Sequence, residues 1–533
     1  MAAAQNNQNN SANNIPKRGW FTRFLDTVEW LGNLLPHPVT LFAMFALFVV
    51  FASGVAAFFG VSAADPRPGN EGVMITVNSL MSGEGLRWMV SNLVTNFTGF
   101  APLGTVLVAI LGVGVAERSG MLSAMMRGMV MGASPRMVTI VVVFAGVISN
   151  TASELGYVVL VPLAAMIFHS LGRHPLAGLA AAFAGVSAGY SANLFIGTVD
   201  PLLAGFTTEA ANLLDADYVV GPEANWFFMI ISTFLIAALG AIVTEKIVEP
   251  KLGKYNPDEA DPDYEDDGNV KMAKLDPQEK RGLAFAGLTF LGLAALLALT
   301  IVPEWGVLRN QETGGVARSP FLNGIVVYIF ITFAIPGYVY GYVTRTMRSD
   351  VDVIHAMSKT MSSMGLYIVL VFFAAQFVAF FGWTNFGTIM AVNGAAFLEA
   401  INLTGPTVFI FFILMCAFVN LMLGSASAQW AITAPIFVPM LMLVGYAPEL
   451  VQAAYRIGDS VTNIITPMMS YFGLILAVAA RYKKDIGIGT LISVMLPYTM
   501  VFFIGWVALF YIWVFALGLP VGPGAATYYS IDG

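Results

Sequence analysis

Long apolar segments separated by short polar ones make up most of this chain. A helix that spans a bilayer needs about 20 mainly apolar residues. The segments that meet this length are 38–60, 93–116, 176–205, 225–248, 282–302, 321–343, 365–398, 449–480 and 487–517. Two further stretches, 137–169 and 406–445, are too long for one span and are interrupted by small and polar residues. This pattern predicts an all-α polytopic membrane protein with nine transmembrane helices and two re-entrant helical hairpins.

Composition supports the same class. The chain is 57% hydrophobic and 11% charged, with a mean hydropathy of +0.76, which is too apolar for a soluble globular protein. Its net charge of -7 argues against a nucleic-acid partner. A single cysteine, Cys416, excludes a disulfide framework and a Cys-based metal site, and favours a packing role. We therefore expect the lipid bilayer as the main partner.

Basic residues test the topology, because they favour cytoplasmic loops. With the N-terminus in the cytoplasm, twenty of the 25 Lys and Arg residues fall inside, four fall outside and Arg456 lies within a span. The count requires residues 137–169 to enter and leave on the same side, because Arg136 and Arg173 flank them. It predicts a bacterial inner-membrane protein with a cytoplasmic N-terminus and a periplasmic C-terminus. The second hairpin, by the same reasoning, opens to the periplasm.

Each half of the chain contains one hairpin tip and one broken helix. The first half has its tip at 149–154 and its break at 189–193, and the second half has them at 424–429 and 458–463. Opposed hairpins and corresponding breaks predict an inverted repeat around a midplane transport site. The predicted division is a disordered cytoplasmic tail 1–19, N-terminal helices with the first two spans and a cytoplasmic loop 20–136, transport core 137–205, a span and an acidic loop 206–281, scaffold spans 282–405, transport core 406–480, and the last span with the C-terminal tail 481–533.

Broken helices expose backbone groups that suit ions. Carbonyl groups and the oxygens of Ser, Thr and Asn bind hard cations, while free amides at a helix N-terminus bind anions. The predicted sodium ligands are Ser149, Asn150, Asn193 and Asn463. Thr151 is a further candidate for substrate binding or transport. It also begins a capping-box spacing that ends at Glu154, so Glu154 either caps a helix or takes part in ion coupling.

Ionisable residues within spans are costly and typically face a pathway or a partner. Asp200, Arg456 and Asp459 occupy such positions. Arg456 and Asp459 lie three residues apart on one helical face, so they could form an ion pair. Asp459 could instead exchange protons if burial raises its pKa. Trp430 could stack on an aromatic substrate or pack against the protein.

Catalytic motifs do not support an enzyme. The sequence contains neither a G-x-x-x-x-G-K-[ST] phosphate loop nor an H-E-x-x-H pair. Ser187 stands in a G-x-S-x-G pattern, but the strand-to-helix elbow that this pattern requires is not predicted. We expect no cofactor and a secondary transporter, with an ion channel as the main alternative.

Two long motifs carry a family resemblance. The runs SNTASELGYVVLVPLAAMIFHSLGRHPLAGLAAAFAGVSAGYSANLFIGTVDPLLAG and GSASAQWAITAPIFVPMLMLVGYAPELVQAAYRIGDSVTNIITPMMSYFG resemble the p-aminobenzoyl-glutamate transporter (AbgT) family. The segments NLLPHPVTLF and GVGVAERSGM resemble it too. The similarity extends from about Gly32 to Leu517.

The resemblance implies a homodimer with an architecture similar to that of the dicarboxylate/sodium symporters. It implies uptake of p-aminobenzoyl-glutamate or efflux of sulfonamide antimetabolites, and hence antibiotic resistance. Another carboxylate is an alternative substrate. Direction, and sodium or proton coupling by symport or antiport, stay open. The positions that match the family's functional residues are Asp200, Ser427, Trp430, Pro448, Arg456, Asp459 and Pro467.

Overall fold

The computed structural model describes residues 36–67, 69–70, 72–152, 156–259, 274–316 and 319–531. These residues are predominantly helical. The helices are α1 (Pro38–Phe58), α2 (Gly83–Thr98), α3 (Ala101–Arg118), α4 (Met121–Met131), α5 (Val138–Ser149), α6 (Val161–Ser170), α7 (Pro175–Phe183), α8 (Val199–Ala211), α9 (Trp226–Val243), α10 (Glu249–Leu252), α11 (Pro277–Leu299), α12 (Pro320–Asn323), α13 (Ile325–Thr344), α14 (Asp350–Ser363), α15 (Gly365–Trp383), α16 (Phe386–Ala400), α17 (Val408–Leu423), α18 (Ala426–Val444), α19 (Pro448–Thr462), α20 (Phe472–Ala480) and α21 (Ile488–Phe510).

Irregular elements complete the chain. Strands β1 (Ser62–Ala64) and β2 (Met74–Thr76) pair antiparallel after α1. The π-helical turns are Gly156–Leu160, Ala184–Ala188, Thr244–Val248 and Tyr511–Ala516, and the 3-10 turns include Asn150–Ala152 and Asn463–Ile465. The predicted tail 1–19, Glu154 and most of the predicted acidic loop lie outside the described residues.

Polar side chains cap the N-terminal ends of several helices. Asp276 and Glu279 form a capping box at the start of α11, and Ser349 and Asp352 form another at the start of α14. Each box satisfies backbone amides that have no partner inside the helix. The sequence therefore marks these helix starts locally, before any tertiary contact forms.

Eight helical segments of the described chain are long and apolar enough to cross a bilayer. They are Pro38–Phe58, Gly83–Arg118, Trp226–Leu252, Pro277–Leu299, Ile325–Thr344, Gly365–Trp383, Ala426–Val444 and Ile488–Ala516. Seven overlap predicted spans, and Ala426–Val444 falls in the predicted second hairpin. The predicted spans 176–205 and 449–480 are built from shorter helices. The predicted span 365–398 was wrong as a single helix, because Asn385 with a φ of +65° separates α15 from α16. The all-α membrane class is thus confirmed, while the number nine stays a prediction.

The first helix break lies where the sequence predicts it. Residues 189–198 leave helical geometry between the π-helical turn and α8. The second break was predicted at 458–463, and this position was wrong, because α19 stays helical to Thr462 and the break covers residues 463–471. The Asn420 amide donates to the Asp459 carbonyl at 2.5 Å. A side chain from α17 therefore satisfies the last turn of α19, which lets the helix continue past its polar residues.

Gly424 ends α17 at the predicted tip of the second hairpin. Its φ is +57°, and a Cβ atom there would lie 2.9 Å from the carbonyl group of Met468. Both the backbone conformation and the close approach require glycine. The next helix, α18, begins two residues later at Ala426. The tip therefore lies directly against the second helix break.

Close backbone contacts join the helices in the centre of each half. A Cβ atom on Gly185 would lie 2.4 Å from the Val143 carbonyl oxygen, and one on Gly458 would lie 2.5 Å from the Ile413 carbonyl oxygen. Small residues at such crossings let helix backbones approach each other in membrane proteins. Cys416 packs at the second crossing. Its Cβ atom would lie 2.6 Å from a Cβ atom added to Gly458, which agrees with the expected packing role of Cys416.

The end of the chain folds back across the second half. We call residues 518–531 the C-terminal strap. The Phe228 amide, at the start of α9, donates to the Val521 carbonyl at 2.9 Å. Between α18 and α19, the Ala447 amide donates to the Thr527 carbonyl at 3.2 Å. The strap thereby connects the start of α9 to the corner between α18 and α19.

Candidate functional site

A buried ion pair connects the two predicted halves of the transport core. Arg456 on α19 donates from Nη2 to Asp200 Oδ1 on α8, and each residue is 2% exposed. The Gly197 amide donates to the other Asp200 oxygen at 2.6 Å. Asp200 thus lies in the first turn of a helix that follows a break, where a negative charge is favoured. The expected Arg456–Asp459 ion pair is not among the salt bridges of the described residues.

Asp459 lies on the same helix face, one turn beyond Arg456. The Tyr455 hydroxyl contacts Asp459 Oδ1 at 3.3 Å and the Ala426 carbonyl at 2.6 Å. Asp459 Oδ2 and Arg456 Nε are buried, and neither has a hydrogen-bond partner among the described residues. Because buried polar groups are nearly always paired, such atoms are typical of a site that takes a ligand.

Trp430 stacks on the protein itself. Its ring lies parallel to Tyr455, with 4.3 Å between the ring centroids. Its Nε1 atom donates to Thr207 Oγ1 at 2.9 Å. One face of the indole is therefore covered by Tyr455 in this conformation. Of the two roles expected for Trp430, the structure displays the packing contact.

The two helix breaks cross each other beside these charges. The Ser191 amide in the first break donates to Ser460 Oγ on α19 at 3.2 Å. Asn463 at the second break donates to the Ser187 carbonyl, also at 3.2 Å. Breaks that lie about 270 residues apart in sequence thus meet in one place. A helix break in a membrane needs partners for its backbone groups, and these two contacts supply partners for part of each break.

The predicted sodium ligands fall into two hydrogen-bonded groups. In the first, Thr151 Oγ1 donates to Asn193 Oδ1 at 3.0 Å, and Asn150 lies beside them with a buried Oδ1 that lacks a partner among the described residues. In the second, Asn420 donates to Asn463 Oδ1 at 2.8 Å. Ser149 donates to the Gly146 carbonyl of its own helix at 2.6 Å. The structure therefore offers two clusters of oxygen atoms, one near each hairpin tip.

The remaining predicted residues mark helix starts and ends. Pro448 occupies the first turn of α19, where its missing amide hydrogen costs nothing. Pro467 follows the 3-10 turn at the second break. Ser427 lies in the first turn of α18, 3.5 Å from the Ser425 hydroxyl. These three residues shape the backbone around the ion pair and do not contact it through hydrogen bonds recorded for the described residues.

Residues that the sequence analysis missed complete the polar centre. Tyr455, Asn420, Thr207 and Gln452 are all buried and hydrogen-bonded to predicted site residues or to each other. Tyr455 could have been found, because it precedes Asp459 by four residues and so shares its helix face. The other three lie on separate helices. Their role depends on which helices meet, and the sequence pattern does not reveal this.

An apolar cavity of about 650 Å³ reaches the first hairpin tip. Side chains of α4, α11 and α13, among them four methionines of α4, form most of its wall, and Ser149 and Thr151 lie at its polar end. This size is within the range of small-molecule pockets, which are mostly apolar with a few polar groups. The cavity provides space for an aromatic ring beside the tip.

Comparison with known proteins shows the family of this chain. The model of the "AbgT putative transporter family" matches residues 23–529. The p-aminobenzoyl-glutamate transport protein of Escherichia coli (strain K12) is 39% identical over 514 residues, which cover 96% of this chain and 99% of that protein.

Two solved structures have the same fold. The structure of Neisseria gonorrhoeae MtrF, described as illuminating a class of antimetabolite efflux pumps, has a TM-score of 0.88 at 63% identity and covers 94% of this chain and 100% of that chain. The Alcanivorax borkumensis YdaH transporter, described as having an unusual topology, has a TM-score of 0.84 at 46% identity, over 92% of this chain and 100% of that chain. This chain is therefore a membrane transporter of the AbgT family and not an enzyme.

Proposed function

We propose that this protein is an ion-coupled secondary transporter that moves p-aminobenzoyl-glutamate, sulfonamide antimetabolites or both across the bacterial inner membrane. The Asp200–Arg456 pair is the observation that carries the proposal. It joins the two broken helices at their crossing, in a fully buried position. Intramembrane charges at helix breaks are the typical substrate and ion sites of secondary transporters.

The substrate class follows from Arg456 of this pair and from a separate cavity at the first hairpin tip. Arg456 keeps a buried Nε–H group without a partner among the described residues, and a guanidinium binds carboxylate or sulfonyl oxygens well. The 650 Å³ apolar cavity at the first tip suits an aromatic ring. Two relatives, a p-aminobenzoyl-glutamate transport protein and an antimetabolite efflux pump, are named for substrates with this chemistry. We propose the same class of compounds here, with another aromatic carboxylate as the alternative.

Charge balance supports coupling to a cation. Asp200 and Asp459 supply two carboxyl groups at the crossing, whereas Arg456 supplies one positive charge. An unbalanced buried carboxylate is unfavourable, so Asp459 should take up a proton or lie near a bound cation. Sodium would bind in one of the two oxygen clusters, around Ser149, Asn150 and Asn193 or around Asn463, whose oxygens suit it. We propose Asp459 as the residue that links the coupling ion to substrate movement.

The larger architecture supports alternating access. We propose that α5 with α6, and α17 with α18, are re-entrant hairpins of an inverted repeat, with transport-core segments 137–205 and 406–480. The N-terminus would be cytoplasmic and the C-terminus periplasmic. Within α11 the buried residues are Gly282 and Ala286 alone among 23, so this helix presents an extended apolar face. That face is our candidate contact with lipid or with a second copy in a homodimer.

Transport into proteoliposomes tests the function directly. Labelled p-aminobenzoyl-glutamate and a labelled sulfonamide would be tested separately under an imposed sodium gradient and an imposed proton gradient. We expect one gradient to drive accumulation, and we expect Asp459→Asn to abolish that response. Asp217→Asn, an exposed loop change, is the matched control and should transport normally. Sustained single-channel currents would instead support a channel, and normal coupling in Asp459→Asn would refute its assigned role.

A further inference from the structure

Two glutamates are buried together at one end of the transport core. Glu223 lies in the loop before α9 and is 7% exposed, and Glu449 lies in the first turn of α19 and is 8% exposed. The C-terminal strap crosses the same place, through the hydrogen bond from Phe228 to Val521. Carboxyl groups are rarely buried this deeply without a counter-charge or a proton. The distribution of basic residues predicts that this end faces the periplasm.

The chain segments that contain these glutamates, and the C-terminal strap beside them, contain no basic residue. Segments 206–226, 445–455 and 518–531 contain neither lysine, arginine nor histidine. The other ionisable residues of these segments are Glu209, Asp215, Asp217, Tyr218, Tyr446, Tyr455, Tyr528 and Tyr529. Arg456, the next basic residue along α19, is engaged by Asp200. A proton is therefore the simplest counter-charge for this pair.

Hydrogen bonds distinguish the two carboxyl groups. The Tyr218 hydroxyl donates to Glu449 Oε2 at 2.9 Å. Glu223 Oε2 is buried and lacks a hydrogen-bond partner in the part of the chain that the structure describes. A protonated carboxyl would turn such an oxygen into a donor, whereas an ionised one would leave its charge unsatisfied. The geometry therefore identifies Glu223 as the member that holds the proton.

A continuous chain of hydrogen bonds runs from this pair to the transport centre. Trp430 Nε1 donates to Thr207 Oγ1 at 2.9 Å, and Thr207 Oγ1 donates to Gln452 Oε1 at 2.5 Å. Gln452 Nε2 donates to Asn225 Oδ1 at 2.8 Å, and Asn225 Nδ2 donates to the Glu449 carbonyl oxygen at 2.8 Å. All these groups are buried. This chain ends at the main-chain carbonyl of Glu449, so a movement of the Glu449 backbone when the pair changes charge can reach Trp430 through direct contacts.

We propose that Glu223 and Glu449 form a second proton-binding site, in which Glu223 holds the proton under the influence of the Glu449 charge, and which acts on the transport centre from the periplasmic side. The proton comes from water and binds one carboxylate oxygen, so no other co-reactant is needed. Two buried carboxylates in proximity disfavour double ionisation, and the pair titrates as a unit. This inference rests on the proposed transport function for its role, but the binding of the proton does not depend on transport.

The electrostatic environment agrees with this site. Burial raises the pKa of Glu223 to about 7, its own backbone amide opposes the rise, and the Glu449 charge adds to it. The site would thus be occupied below neutral pH and empty above it. A periplasm that is more acidic than the cytoplasm would load it from outside.

Infrared titration of the full-length protein in detergent tests proton binding without transport. The carbonyl band of a protonated carboxyl group should disappear with a midpoint near pH 7 in the wild type. Other buried carboxyl groups, such as Asp459, can contribute to the same band, so the readout is the difference spectrum between the wild type and Glu223→Gln. This difference should contain one carboxyl component that titrates near pH 7, whereas the difference between the wild type and the control Asp217→Asn should contain none. A Glu223→Gln difference spectrum without such a component, or one that titrates at an ordinary carboxyl pKa, would overturn the proposal.

Glu449→Gln provides a second test if Glu223→Gln does not fold. Removing the neighbouring negative charge should lower the Glu223 midpoint by roughly one pH unit. An unchanged midpoint would exclude coupling between the two carboxyl groups. Transport of p-aminobenzoyl-glutamate measured from pH 5.5 to 8.5 then tests the role: the wild-type profile should change near pH 7, and the Glu223→Gln profile should not. A normal infrared titration without any transport would refute the proposed function and leave the proton site intact.

Discussion

Removing one member of the Asp200–Arg456 pair should destabilise the protein more than removing both. Each side chain is 3% exposed, so Asp200→Asn leaves the Arg456 guanidinium buried without its carboxylate. Breaking a buried ion pair on one side costs about 3–5 kcal/mol, whereas replacing both members by neutral residues of similar volume is often nearly neutral. Asp459 lies one helical turn from Arg456 and offsets part of the loss. We therefore expect about 3 kcal/mol for Asp200→Asn.

A double-mutant cycle measures this coupling. Wild type, Asp200→Asn, Arg456→Met and the double variant would be unfolded in mixed micelles and followed by circular dichroism. The double variant should be more stable than the sum of the single effects predicts, by about 2 kcal/mol or more. Asp217→Asn, in an exposed loop, controls for a general effect of removing an acid.

Additivity would refute the reasoning. If the effects of the two single changes add within about 0.5 kcal/mol, the residues do not interact in the folded protein. Transport should be lost in all three variants, because each removes a charge from the proposed substrate site. The stability cycle and the transport assay therefore test the contact and its role separately.

Three further outcomes follow from the structure. Gly424→Ala should destabilise the protein by about 1–3 kcal/mol in the same unfolding assay, because it strains a positive φ and meets backbone atoms; an unchanged midpoint would contradict the tight contact at the tip. Trp430→Phe keeps the stack on Tyr455 but loses the hydrogen bond to Thr207, so we expect the free energy of unfolding to fall by about 1 kcal/mol. The KM for transport should also change, and an unaltered KM would show that Trp430 does not belong to the substrate site. Glu223 should lower stability as pH rises from 4.5 to 7, because its pKa is raised to about 7 in the folded state; Glu223→Gln should flatten this part of the stability profile, and a profile that stays steep would assign the dependence to another group.

Local patterns predicted much of the fold. Runs of apolar residues place most long helices within a few residues of their observed limits, because a membrane helix satisfies its own backbone and needs only apolar side chains outside. The first break was also predicted, since residues 189–193 combine glycine with polar residues, although the observed break continues to residue 198. Residues 83–92 were not predicted to be helical. They contain Glu84 and Arg87, and these charges interrupt the apolar pattern at the start of a helix that begins at Gly83.

The candidate site was predicted in part, and the misses share a cause. Asp200, Arg456 and Asp459 are recognisable because charges within apolar segments are rare. The ion pair that they form was not predicted. The spacing of three residues favours a pair between Arg456 and Asp459, whereas the fold pairs Arg456 with Asp200, which lies 256 residues away in the sequence. The second break was placed too early for a similar reason. The polar residues of α19 are satisfied by Asn420 from another helix, and sequence spacing carries no information about that contact.

The separation of Asp200 and Arg456 along the chain has a consequence for biogenesis. The ribosome must add 256 residues after Asp200 before its partner exists. At synthesis rates of about 5–20 residues per second, this takes roughly 13–50 s. During this interval the inserted first half holds an acid that must keep a proton or stay in contact with water. The translocation machinery therefore receives a half-chain with an open polar groove, and the centre of the molecule is sealed late, when α19 arrives.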